Sequence, residues 1–455
     1  MTVQNLQSGF LRIIEFIHDS RWQDFPDEVQ SQARRCLLDT VGAAIGGWST
    51  ELSRIIRDYS ASVYSGQGAQ LWLDGREVSP PGAALANGMT IDALDIHDGY
   101  TLTKGHAGAA LVPAVLAALS LSQPEVVSGQ DLLATFVMGY EVALRAGLAL
   151  HATVTDYHTS GAWNALGCAA ITARILNLAS EGSRHALGIA EYHGPRSQMM
   201  RCIDHPTMLK DGSGWGAMTG VSAGLLAREG FTGAPALTIE DEAVAEFWAD
   251  LGVRWLITEQ YFKPYGVCRW AQPTIAAALK LRQQHDLHLD SISSIHVATF
   301  HEAVCLASPH PATTEDAQYS LPFPVAAALV HQNLGPAELS GRQLRNPLVL
   351  KLSERVKLVE DPAFSDRFPT ERFARVRIST EDGTVYDSGE VEAAWGEDNP
   401  PSDEELRKKF LWLAQTSLLP ERAKELEMAI WGLANQENAA DLCQLLAEPP
   451  QGELL

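Results

Sequence analysis

Asp95, Lys104 and His106 stand in one short stretch, LDIHDGYTLTKGHAG (94–108), between apolar flanks AALANGMTIDA and ALVPAVLAALS. A carboxylate beside an imidazole orients the ring, sets its tautomer and raises its basicity, as a general base requires. If TIDALDIHD is helical, Asp92, Asp95 and Asp98 share a face and the helix breaks near Gly99 and Gly105. The competing reading is a helix C-terminus with solvated acids and an exposed loop carrying Lys104 and His106. A metal held by His97, Asp98 and His106 is a third reading, but no HExxH or similar spacing supports it.

Three further clusters carry comparable chemistry. In HATVTDYHTSGAWNALG, Tyr157 and His158 precede a small-residue helix, where the dipole disfavours imidazolium and helps to bind anions. The alternative there is a capping Thr159 or Ser160 beside a partly buried histidine. Lys210 stands before glycines in MLKDGSGWGAM; buried near cations it would move protons at neutral pH, and beside a carboxylate it would be a counter-ion. In EQYFKPYGVCRWAQPTIAAAL, Lys263 and Arg269 flank Tyr265 and Cys268 just before an apolar helix. Arg269 could fork onto a carboxylate, or stack on Trp270 or Tyr265 instead. A nucleophilic Cys268 lacks a nearby histidine.

The elements that must position these groups follow from pattern. The 455 residues, 46% hydrophobic, suffice for a large core in two domains. A net charge of −22 repels nucleic acid and anionic membranes, so an anionic small molecule needs local cations. Six scattered cysteines without CxxC pairs imply free thiols in a reducing, cytoplasmic setting, and the N-terminus has no signal-peptide pattern. The run Ala109–Leu121 contains Pro113 and is too short to span a membrane. Nucleotide-binding and serine-hydrolase motifs are missing.

Helical periodicity dominates to about residue 260: a helix opens at Pro26-Asp27 and closes at Gly46-Gly47, and Ser128 with Asp131 caps another. The alanine- and glycine-rich segments that follow imply closely crossing helices. After FKPYGVCRW, IHVATF and FARVRI alternate as strands do, and Asp382-Gly383 marks a hairpin. LPFPVAAALVHQ and RQLRNPLVLKLSERV read as helices, and Ser402 caps a last helical region. The expected fold is mainly α with an α+β domain: a large all-helical domain from 1–262 and 403–455, and a smaller α+β lid over 263–402.

Together, NGMTIDALDIHDGYTLTKGHAG, YHTSGAWNALGCAAITARILNL, the LK before a glycine-rich helix ending in EGFTG, and FKPYGVCRW resemble the MmgE/PrpD family, which includes 2-methylcitrate dehydratase, cis-aconitate decarboxylase and iminodisuccinate epimerase. The resemblance runs from about Cys36 to Leu279 and more weakly through DAQYSLPFPVAAAL. It implies a homodimer, catalysis without metal or other cofactor in the cleft between domains, and small di- or tricarboxylate substrates. By position it implies functional roles for Asp95, His106, His158 and Lys210, with Lys263 opening the lid; Tyr157, Tyr265, Arg269 and Gln272 are expected to touch substrate. The chain departs from the family pattern at Gly99, where a hydroxyl side chain is common, at Phe323 for tyrosine and at Gln272 for histidine. The LDIHDG and TKGHAG forms are similar to the iminodisuccinate epimerase branch. The expected reaction is therefore epimerisation of an amino- or imino-dicarboxylate such as iminodisuccinate. Bases drawn from His106, His158, Lys104 and Lys210 would remove and return a proton beside a carboxylate held by Lys210, Arg269 and Lys263. A dehydratase of a hydroxy di- or tricarboxylate, or a non-catalytic polycarboxylate-binding protein, are the alternatives.

Overall fold

Alanine and glycine let the helices of the larger body approach until backbones nearly touch. In the computed structural model, which describes residues 3–122 and 126–450, helix Gly161–Ile175 crosses helix Ser213–Arg228. A Cβ added at Gly220 would overlap Cys168, so only glycine permits this crossing. Helices Asp27–Gly47, Pro80–Asp92, Gly108–Ala118 and Gly129–Thr153 complete one continuous apolar core. Gly129–Thr153, capped by Ser128 through the Asp131 N–H, is long and apolar enough to cross a membrane, yet it lies buried at the centre of this core.

Residues far along the chain return to the same core. Ser402 and Glu405 form a capping box for helix Asp403–Ala414, whose Leu406, Phe410 and Leu413 pack into it. From that helix the buried Lys409 ammonium donates to Asp39 Oδ1 at 2.6 Å and to the Ile96 carbonyl at 2.6 Å. This helix thereby grips the polar stretch around Asp95.

A second core is built on a four-stranded sheet ordered Val356–Glu360, Ile292–Thr299, Phe373–Thr380, Val385–Glu392. The first pair is parallel and the others antiparallel. Ile295, Val297, Val376 and Ile378 point to one buried face, covered by helices Gln272–Gln284 and Pro322–His331. The turn at Asp382-Gly383 uses φ +86° at the glycine. The molecule is thus mainly helical with a small α+β part.

Local pattern misses three elements. RQLRNPLVLKLSERV reads as one helix, but the helix is Pro347–Ser353 and the chain then enters strand Val356–Glu360, whose partner is the distant Ile292–Thr299. Hairpin Ser65–Gln70 with Glu77–Val78 lacks the apolar alternation of a strand, because its residues are largely exposed. The helix carrying TIDALDIHD stops at Asp92, so Asp92, Asp95 and Asp98 share no helical face. Beyond it, Gly99–Tyr100 pairs with Gln260–Tyr261 and ties the Asp95 stretch to the segment that leads into Lys263.

Candidate active site

Where the helix ends, the Asp95 N–H donates to the Asp92 carbonyl at 3.1 Å and Asp95 itself turns left-handed, φ +50°. Aspartate tolerates this region better than most residues. Lys104 (φ +50°) and Lys210 (φ +52°) share that conformation. Of the seven non-glycine residues with positive φ among those described, three are thus charged residues singled out from sequence, and such strain persists only where the surroundings over-determine it.

Asp95 Oδ1 accepts from the Lys263 ammonium at 2.5 Å, and its carbonyl oxygen accepts from the same ammonium at 2.9 Å. His106 Nε2 lies 3.5 Å from that ammonium and 3.8 Å from Asp95 Oδ1. The other ring nitrogen, Nδ1, is 2.6 Å from the Asp98 carbonyl oxygen. A carbonyl can only accept, so Nδ1 carries the proton and the Nε2 lone pair faces Lys263 and Asp95. Burial and then Lys263 push the imidazole pKa well below its ordinary value, so the ring is neutral with its lone pair on Nε2. Burial works against a charged Asp95, but Lys263, followed by His106 and Lys210, holds the carboxyl down to about 2.

Behind this triad lies a scaffold that does not face the ligand. The His106 N–H donates to Ser160 Oγ at 2.8 Å, and Ser160 in turn donates to Asp211. His97, fully buried, stacks edge-on against His106 with centroids 4.5 Å apart, and its Nε2 meets Asp92 Oδ1 at 3.0 Å. The second Asp92 oxygen accepts the Ser213 N–H at the start of its helix, at 3.2 Å. Asp98 points into the core, where Tyr140 donates to it at 2.7 Å, and burial followed by Asp39 raises its carboxyl to about 6. Among the described residues no three His, Cys, Asp or Glu side chains converge as metal ligands would.

The cavity in front of His106 is small, ≈ 20 Å³, and is lined by Asp95, Lys104, His106, Tyr157, Met199, Ile203, Tyr261, Cys268, Arg269, Trp270, Tyr319 and Arg372. Lys104 sits with its ammonium 4.5 Å from the Tyr157 ring centre while the Tyr157 hydroxyl donates to its carbonyl. Burial lowers the Lys104 pKa, with Glu302 opposing and Arg372 adding to the drop. Arg269 is held by the Phe262 and Ala394 carbonyls at 3.2 and 2.7 Å and stacks on Tyr261 at 4.3 Å, rather than on Trp270 or Tyr265. Burial lowers its pKa to about 9. Arg372, buried, reaches from the sheet domain to Thr101 of the helical body at 3.4 Å, and its Nε has no partner.

The remaining sequence-derived candidates lie elsewhere. Lys210, buried, donates to Gln318 Oε1, lies 4.9 Å over the Tyr319 ring and lines a neighbouring cavity of ≈ 230 Å³ with Arg201, His205 and Thr207. His158 is not in the lining of either cavity; its Nδ1 lies 2.8 Å from the Asp156 carbonyl and its N–H donates to His151. Lys263 stands behind Asp95 rather than in the cavity wall. Gln272 clamps the turn after Lys263 through the Tyr265 and Val267 carbonyls, at 2.9 and 3.0 Å, leaving Tyr265 outside the lining. Sequence reasoning missed Tyr261 and Arg372. Tyr261, two residues before Lys263, reads as an ordinary strand aromatic, and Arg372 precedes FARVRI as any solvated strand-end cation would.

Comparison with known proteins agrees with this architecture. Residues 11–250 match the MmgE/PrpD N-terminal domain and residues 265–434 the MmgE/PrpD C-terminal domain. The cis-aconitate decarboxylase-like protein oryM of Aspergillus oryzae is 25% identical over 487 residues, covering 96% of each chain. Cis-aconitate decarboxylase of Mus musculus is 26% identical, covering 95% of this chain and 92% of its own. The mitochondrial 2-methylcitrate dehydratase of Yarrowia lipolytica is 23% identical, covering 83% and 78%. With both domains matched in order around one polar cleft, the chain belongs to the MmgE/PrpD family.

Proposed function

We propose that the protein is a lyase of a small hydroxy di- or tricarboxylic acid, a dehydratase resembling the methylcitrate enzyme among its relatives. The observation that carries this reading is the fixed tautomer of His106. Its unprotonated Nε2 lies 3.8 Å from Asp95 Oδ1, and His106 and Asp95 line one cavity with Arg269, Arg372 and Lys104. Neutral imidazole takes the proton from the carbon beside a carboxylate, and the cations stabilise the negative charge that develops on carboxylate oxygen. Asp95 and Lys263 hold each other and keep the imidazole in register. A cavity of ≈ 20 Å³ has room for little more than one water molecule. The substrate therefore enters when the sheet domain, through Arg372, parts from Thr101.

Lys104 supports a second reading. A cavity-lining lysine with a lowered pKa can serve as a second base, and two bases without a leaving group give an epimerase of an amino- or imino-dicarboxylate such as iminodisuccinate. Proton NMR in D2O with citrate-like and tartrate-like hydroxy acids and with iminodisuccinate separates these outcomes. New vinyl signals are expected. Deuterium at the carbon with interconversion of stereoisomers would move the assignment to the epimerase, carbon dioxide release to a decarboxylase, and binding without turnover would overturn it.

A further inference from the structure

Gly99 faces a space that no side chain could enter. A Cβ built there would lie 2.5 Å from the Tyr261 hydroxyl oxygen and 2.7 Å from His106 Nδ1. The two residues are direct partners in the strand pair that joins the helical body to the segment leading into Lys263. Pairing fixes the tyrosine backbone opposite the glycine, and the missing side chain lets the phenol reach over it toward His106. The rings of Tyr261 and His106 stand edge-on, with centroids 6.3 Å apart. Tyr261 is buried at 2% exposure and lines the cavity. Its ring is flanked by two guanidinium groups, Arg269 at 4.3 Å and Arg372 at 5.8 Å. Burial pushes the phenol pKa up, while Lys263, Arg372 and Arg269 oppose that rise. Among the described residues no group hydrogen-bonds to the hydroxyl. Of the other two cavity tyrosines, Tyr157 spends its hydroxyl on the Lys104 carbonyl, and Tyr319 lies with its ring beneath the Lys210 ammonium, on the side of the neighbouring cavity.

We propose that the Tyr261 hydroxyl is the catalytic acid of the elimination, the counterpart of His106, and that Gly99 is the residue that admits it. The inference rests on the dehydratase reading. His106 Nε2 takes the proton from carbon; the C–H electron pair becomes the new C=C bond; the C–O bond breaks with its pair passing to oxygen; and the Tyr261 proton completes a molecule of water. The imidazolium proton then returns to the phenolate, whose charge the two arginines and Lys263 stabilise in the interim. Substrate is converted to an unsaturated acid and water, and both side chains recover their starting states.

Tyr261→Phe removes only the hydroxyl. It should slow elimination by roughly a hundredfold while changing KM much less, and abolish the dependence of kcat on an alkaline group. Exchange of the substrate carbon proton with D2O, which needs His106 alone, should fall less than elimination. Gly99→Ala should depress elimination at least as strongly as Tyr261→Phe, because its Cβ would displace both the phenol and the His106 ring. Three results would overturn the proposal: an unchanged rate in Tyr261→Phe, equal losses of exchange and elimination, or an intact alkaline limb. If the wild-type protein releases water from none of the hydroxy acids, the dehydratase reading fails and takes the acid role of Tyr261 with it. A wild type that dehydrates beside an unimpaired Tyr261→Phe sinks this proposal alone.

Discussion

Within LDIHDG, Asp95 and Asp98 stand three residues apart, both buried, and their environments drive them in opposite directions. Asp95 meets an ammonium at 2.5 Å and is held at about 2. Asp98 meets a phenol and the field of Asp39, and burial carries it to about 6. The histidines divide in the same way: His106 lines the cavity and turns Nε2 to Lys263 at 3.5 Å, whereas the Nε2 of His97 is occupied by Asp92 in the layer behind. One short stretch therefore holds a cavity-lining set and a supporting set made of the same residue types. For the acids, the difference follows from which one meets Lys263, 168 positions further along the chain.

The most damaging way to break this contrast is to remove that lysine. Lys263→Met leaves Asp95 buried without its cation, which should destabilise the fold by ~3–5 kcal/mol, and Asp95→Asn in the same chain should recover much of the loss. Chemical denaturation of the single and double variants measures this; a strictly additive pair would mean that the two groups do not act together. Activity should stay low in both, since the His106 environment is disturbed.

Next in size is the histidine comparison. His106→Asn should reduce turnover by roughly a hundredfold or more with the fold intact. His97→Asn should instead cost ~1–3 kcal/mol of stability through a disturbed buried hydrogen bond while much of the turnover survives. Equal kinetic losses in folded proteins would erase the distinction between the two layers.

The smallest effect sharpens the acid pair through pH. Asp98 has a folded pKa above its unfolded value of 3.8, so its contribution to stability is present at low pH and is lost as pH rises from about 4 through about 6. Asp95 has a depressed folded pKa, so its contribution is present above about 4 and lost as pH falls through about 2. Asp98→Asn should flatten the stability profile between pH 4 and 6 relative to wild type, read from denaturant midpoints. An unchanged slope there would remove the assignment of a raised carboxyl.

Much of the organisation was legible in the sequence because it is written locally. Helix starts at Gly129 and Asp403 follow from capping chemistry that involves neighbours within four residues, the start at Asp27 follows from Pro26 and the acids of the first turn, and Ile292–Thr299 and Phe373–Thr380 follow from alternation. The polar clusters stood out because charged residues between apolar runs need partners. Where reading failed, the deciding partner was remote. Strand Val356–Glu360 exists because Ile292–Thr299 offers it hydrogen bonds, and the helix ending at Asp92 gives way to a loop held by Lys409 and Lys263.

The sequence by itself determined the helical body with its small α+β part, the family, and the stretch in which the reactive groups lie. Only the tertiary structure decided which acid is charged, which nitrogen of His106 is free, that His158 is turned to its own loop, and that Tyr261 and Arg372 complete the wall. The charge on Asp95 and the closing of the wall depend on distances of a few ångström between residues more than a hundred positions apart, Lys263 with Asp95 and Arg372 with Thr101, while the His106 and His158 rings are set by how the folded loops bring the Asp98 and Asp156 carbonyls to them. A pKa or a tautomer is a property of that assembled field, and no window along the chain contains it.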